Sequence, residues 1–197
     1  MINIFEEGDF SAYSEVDLNE CRTIISELSQ YSTGSVTVFI SHKHDELEEL
    51  KGIIGFLQKN YNVKVYIDSQ DPKLPRITSA KTAVEIKSRI QKCDKFILLA
   101  TNAAVESKWC NWELGYGDAL KYENNDIAIL PMKPKGISSQ YEGNEYLNIY
   151  PHIVWCCGLE TNSDGMQITK GYYVRTKNTE RYTIVSLEEW LNSNNIF

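Results

Sequence analysis

The residues of this chain whose types and spacing propose chemistry lie in the octapeptide Ser107-Lys108-Trp109-Cys110-Asn111-Trp112-Glu113-Leu114. One carboxylate stands there beside two indoles. A carboxylate can stabilise positive charge that develops in a transition state, and an indole face excludes water and stacks on a planar ring. Val105, Trp109, Trp112, Tyr116 and Leu120 recur at the spacing of one helical face, so the segment is expected to be helical with that face buried. At about 100° per residue, Glu113 lies roughly 70° from the centre of the stripe, partly desolvated and still reachable. Gly115 and Gly117 each cost about 1 kcal/mol in a helix interior, which argues that something packs closely against this turn. Gly117, one turn beyond Glu113, is expected to leave open space above the carboxylate. The same spacing also suits a plain core face with Glu113 as its solvated flank, and spacing alone does not choose between the two.

The elements that must hold this helix can be read from the rest of the chain. Residues 17–31 carry Leu18, Cys21, Ile24 and Leu28 on one side and read as an N-terminal helix outside the pattern that follows. Residues 35–41 are β-branched and aromatic enough for a buried strand. Asp45-x-x-Glu48 can cap the next helix, whose Leu47, Leu50, Ile54 and Leu57 align. A second strand over residues 63–67 ends at Asp68, and Pro72 and Pro75 make residues 69–79 a loop. A helix over 82–93, a strand over 95–100, the Glu113 helix, a strand over 126–132 and a short strand over 152–155 continue the alternation.

Strands apolar on both faces, alternating with helices, argue for a parallel sheet covered on either side. Ligands in such a sheet sit at the carboxyl ends of the strands, where Ser41, Asp68, Thr101 and the start of the Glu113 helix all fall. After Trp155 the pattern changes: residues 171–175 and 181–185 read as strands, and Ser186-x-x-Glu189 caps a last helix.

The chain has 197 residues, of which 42% are hydrophobic, ample for a packed core. Its net charge of −7, without a long basic run, gives no nucleic-acid footprint and disfavours an anionic membrane surface. No apolar run reaches the ~20 residues of a membrane span, and the acidic start is unlike a signal peptide, so a cytoplasmic address is expected. Five cysteines without C-x-x-C spacing fit reduced thiols. His42, His44 and Asp45 lack a fourth ligand, so they read as a loop and no metal site is expected.

Three signals occur in order: Val38-Phe39-Ile40-Ser41-His42 after the first strand, a Pro-containing loop after Asp68, and Trp109-Cys110-x-x-Glu113-Leu114. Together they resemble a TIR domain. The resemblance implies an α/β, flavodoxin-like, doubly wound parallel five-stranded sheet over residues 35–157, with an N-terminal helical extension over 1–34. A small C-terminal αβ extension over 158–197 is expected to pack on that domain.

In enzymes of this family a glutamate in the W-x-x-x-E arrangement is needed to cleave NAD+ at the nicotinamide–ribose bond. That position is Glu113, and the tryptophan one turn earlier is Trp109. Trp112 matches an aromatic near the glutamate, and Phe39 falls where the family places an aromatic that contacts the dinucleotide. NAD+ is then the substrate, with no bound cofactor. The loop after Asp68 resembles the loop that gates the pocket and mediates self-association between TIR domains. Here it lacks the usual Pro-Gly pair, and Arg76 and Lys81 are candidate phosphate contacts within or just beyond it. Asp68 either orients ribose or only caps its strand, and His42 stands where a tyrosine is common.

One glutamate suffices chemically, because nicotinamide leaves as a neutral base while positive charge grows on the ribose; no strong acid is needed to expel it. Bacterial TIR proteins of this size resemble those of Thoeris-type antiphage systems, which make cyclic or modified ADP-ribose for a partner effector. Two rival classes remain open: a non-catalytic TIR assembly module, and a nucleoside deoxyribosyltransferase-like enzyme, which shares the glycosidic chemistry and a glutamate.

Overall fold

The structure, a computed structural model, describes residues 4–16, 18, 35–67, 80–136, 140–178 and 181–192. The helix expected over residues 17–31 and the loop carrying Asp68 and Arg76 fall outside the described residues. In chain order the strands are β1 (Phe5–Glu6), β2 (Thr37–Ser41), β3 (Lys64–Tyr66), β4 (Lys95–Ala100), β5 (Ile127–Lys133) and β6 (His152–Cys156). A hairpin of β7 (Gly171–Asn178) and β8 (Arg181–Ser186) follows. The helices are α1 (Leu47–Tyr61), α2 (Ala80–Lys92), α3 (Asn102–Glu106), α4 (Lys108–Lys121) and α5 (Leu187–Asn192).

Five strands lie parallel in the order β3-β2-β4-β5-β6, which is the second, first, third, fourth and fifth of the repeating strand–helix units. That is the flavodoxin-like winding, and its direction reverses between β2 and β4, leaving a crevice above their carboxyl ends. Among the described residues the same sheet is longer than five strands. β7 and β8 extend it antiparallel from β6, and β1 pairs with the far end of β5 at Met132 and Lys133.

Alternation along the strands feeds two cores. Val38, Ile40, Ile97 and Leu99 face α1, whose Leu50, Ile53, Ile54 and Leu57 are buried against them. Phe39, Phe96 and Leu98 face the opposite side, with Ile86 and Ile90 of α2 and Cys110 and Leu114 of α4. The first core also takes Phe5 and Phe10 from the amino-terminal segment and Leu187, Trp190 and Leu191 from α5. Gly55 of α1 allows the close approach of that segment: a Cβ there would stand 2.0 Å from the Tyr13 carbonyl oxygen.

Local capping differs from expectation at two places that matter for the site. The residue before α1 is Glu46, which makes no side-chain cap bond, and Asp45 is exposed. The predicted Asp45 cap therefore does not form, because Glu46 occupies the cap position and its carboxylate is engaged elsewhere. The segment after β4 is two helices rather than one. Thr101 caps α3, accepting from the Ala104 amide, and Ser107 turns extended and caps α4, accepting from the Cys110 amide. The break at Ser107 takes Val105 out of register with Trp109, so the five-residue stripe read from spacing is not one continuous face.

Candidate active site

The buried face of α4 is Cys110, Glu113, Leu114, Gly117 and Lys121. This corrects the predicted burial of Trp109, Trp112, Tyr116 and Leu120: the three aromatics are half-buried beside that face and Leu120 is 37% exposed. Gly117 is the physical reason. A Cβ there would stand 2.9 Å from the Phe96 ring, so the glycine lets α4 settle directly onto β4. The space expected above the carboxylate is filled by that contact. Gly115 faces open space instead, with nothing among the described residues within 4 Å of a Cβ. Trp112 and Tyr116 face α2, whose Lys87 ammonium lies 5.9 Å and 4.9 Å from their ring centroids. Trp109 and Trp112 pack on one another at 4.8 Å between ring centroids.

Rotating α4 in this way drives Glu113 inward. It is 0% exposed, where spacing predicted a reachable edge position. Its Oε2 accepts a 2.6 Å hydrogen bond from the Ser41 hydroxyl at the last residue of β2. Ser41 shares the face of Phe39, since both are odd-numbered along one strand, and that face looks toward α4. A carboxyl withdrawn from water is tolerated only where hydrogen bonds hold it, and Ser41 supplies a short one. Glu113 and Ser41, which the sequence put at the rim separately, are thus brought together beside the crevice where the winding reverses.

Phe39 is wholly buried, stacked on Phe96 at 5.5 Å and tilted against Tyr66 at 5.5 Å. In this state it supports the strand beneath Ser41 from within the core. His42 is buried, with Nδ1 3.4 Å from the Ile40 carbonyl oxygen, and its ring stacks on that of His44. Lys81 is exposed on the first turn of α2. Among the described residues no group of three or more His, Cys, Asp or Glu side chains is placed to hold a metal ion, and no helix is long and apolar enough to cross a membrane.

Sequence reasoning missed a second carboxylate at the same rim. Glu46 Oε1 accepts a 2.6 Å hydrogen bond from the Thr101 hydroxyl, across 55 residues of chain. Burial pushes the Glu46 carboxyl above the usual carboxylate range against the pull of the Thr101 bond, and the charges of Glu7 and Asp45 push the same way. The available signal was its place: Glu46 sits on the loop leaving β2, which must pass beside the crevice.

A hydrogen-bonded, fully buried glutamate at the switch point of a flavodoxin-like sheet, with two indoles packed beside it, marks an α/β protein of the flavodoxin-like class. Residues 38–153 match the model of one family, the TIR domain, and the chain belongs to that family. The fold class and the resemblance drawn from Val38–His42 and from the Glu113 segment are thereby borne out. Over 145 residues the chain is 28% identical to a Bacillus cereus protein named "Probable 3' cyclic ADP-D-ribose synthase ThsB'", covering 72% of this chain and 73% of that protein. Over 86 residues it is 33% identical to a Cytobacillus dafuensis protein named "Putative cyclic ADP-D-ribose synthase TIR2", covering 42% of this chain and 22% of that protein.

Proposed function

We propose that this protein is a TIR-domain enzyme that breaks the nicotinamide–ribose bond of NAD+ and closes the remaining ADP-ribose into a cyclic product, as a signal in antiphage defence. The observation that carries the reading is the burial of Glu113 against Ser41 at the switch-point crevice, in a chain similar to proteins named cyclic ADP-D-ribose synthases. As the bond breaks, its electron pair leaves with nicotinamide and the ribose carbon becomes cationic. The Glu113 carboxylate faces that charge, and the Ser41 hydroxyl keeps one carboxylate oxygen in place so that the other meets the sugar. Because the interaction strengthens as charge develops, it lowers the barrier rather than merely tightening binding. Trp109 and Trp112, half-buried next to Glu113, supply flat faces for a nicotinamide or adenine ring and help exclude water.

Water exclusion also bears on the product. A cation formed where the carboxylate is sealed from solvent meets a nucleophile of its own ADP-ribose before it meets water, and the outcome is ring closure rather than hydrolysis. Phe39, Asp68 and Arg76 are assigned to dinucleotide binding, with residues 35–157 as the catalytic unit, 1–34 as an N-terminal extension and 158–197 as a segment packed on that unit. We place the enzyme in the cytoplasm, where NAD+ is available. Self-association through TIR domains completes the pocket, and a separate effector receives the product.

Incubating wild type and Glu113→Gln with NAD+ over a protein concentration series, with product masses measured, tests this reading. Cyclic product from wild type and none from a folded Glu113→Gln is expected. Equal turnover by both would sink the assignment of Glu113, and free ADP-ribose as sole product would count against cyclisation. NAD+ left untouched at every concentration favours the assembly-module reading.

A further inference from the structure

Glu113 accounts for one wall of the crevice, and the opposite wall carries a carboxylate with no role in that chemistry. Ser41 pairs with Leu98 in the β2–β4 register, and Thr101 lies three residues farther along, roughly 10 Å at ~3.3 Å per strand residue. The Glu46–Thr101 bond therefore spans the mouth, above the depth at which Ser41 holds Glu113. The two carboxylates also come from different faces of the sheet. Glu113 descends from α4 on the Phe39 side, whereas Glu46 precedes α1, which covers the Val38 and Ile40 side. Glu46 spends only one oxygen on Thr101. Its Oε2 is sealed from solvent and has no hydrogen-bond partner among the described residues, and a carboxylate oxygen left so is costly unless a donor arrives.

We propose that Glu46 is the second carboxylate of the site and binds a hydroxyl of the dinucleotide's other ribose. The inference rests on the reading of NAD+ as substrate. Glu113 takes the ribose whose bond is broken, and that sugar is too short to reach a group roughly 10 Å farther out. A dinucleotide carries a second diol on the far side of its pyrophosphate, and hydroxyl donors are what the unfilled Glu46 oxygen lacks. Held from opposite walls, the two sugars are bent toward each other, the geometry that ring closure needs.

The deciding measurement is NAD+ affinity in the cleavage-deficient Glu113→Gln protein, with and without Glu46→Ala, at protein concentrations where wild type turns NAD+ over. Removal of Glu46 is expected to weaken Kd at least tenfold. In the protein that retains Glu113, the same change is expected to raise free ADP-ribose several-fold relative to cyclic product. Glu46→Gln, which keeps the bulk and an acceptor for Thr101, guards against simple misfolding and should also weaken Kd while the protein melts as a folded unit. Unchanged Kd in both variants, with a lowered melting temperature for Glu46→Ala, would make Glu46 a purely structural strap and overturn the proposal. Absence of NAD+ binding to wild type and Glu113→Gln alike overturns the functional reading as well, and so is distinguishable from failure at Glu46 alone.

Discussion

At the scale of single residues, Ser41 and Glu46 offer separable tests. Ser41→Ala removes one hydrogen bond to a buried carboxylate, an interaction of about 1.5–3 kcal/mol. Steady-state kinetics on NAD+ should then show kcat/KM lowered roughly 10- to 100-fold, with Glu113 still present but free to turn. Glu46 answers to pH. Its carboxyl ordinarily titrates near 4.5 and is raised in the fold, first by burial. The folded protein thus holds that proton more tightly than the unfolded chain, so stability is undiminished below 4.5 and falls as pH rises through the raised value. Glu46→Gln removes the penalty while keeping an acceptor for Thr101. Its melting temperature should exceed wild type at neutral pH, and the gain should vanish near pH 4.

At the scale of elements, the seating of α4 on β4 decides where Glu113 points. Gly117→Ala would put a methyl 2.9 Å from the Phe96 ring, in a contact that yields only if helix or ring moves. Overpacking of this kind costs about 1–3 kcal/mol, and because Glu113 lies one turn away, activity should fall together with stability. Gly115→Ala is the control on the same helix. Its methyl meets nothing, and alanine improves helix propensity by up to about 1 kcal/mol, so thermal unfolding should shift upward with activity retained. Chemical denaturation of both variants beside NAD+ turnover checks the pair. The break at Ser107 belongs to this scale too. Two caps, Thr101 and Ser107, reset the helix, and the Asn111 amide bonds back to the Val105 carbonyl oxygen at 2.9 Å to hold the two pieces together.

At the scale of the whole molecule, the segments on either side of the parallel strands share the core beneath α1. The Trp190 indole, 1% exposed, donates to the Asn125 carbonyl oxygen at 2.7 Å, and the Lys95 ammonium of the part-buried Lys95–Asp126 pair stands 5.1 Å from its ring centroid. All of this lies at the amino ends of β4 and β5, at the end of the sheet opposite Glu113. Trp190→Ala should therefore cost about 3–5 kcal/mol of stability, while kcat at low temperature stays near wild type. A fall in kcat without a fall in melting temperature would contradict this division of labour.

The sequence by itself determined the five parallel strands, their alternation with helices and the proposal of Glu113. Each rests on local information: β-branched runs, helical periodicity, and a motif whose members lie within one turn. Its errors came where local patterns compete. Two faces of α4 both have helical spacing, and the stripe with the indoles looks the more hydrophobic. Only the fit of Gly117 over Phe96 selects the other face, and with it the full burial of Glu113. The Ser41–Glu113 bond joins residues 72 apart and the Glu46–Thr101 bond residues 55 apart. Neither has a sequence signature, because both follow from the order in which strands lie side by side, and that order is settled only when the sheet packs against helices on its two faces.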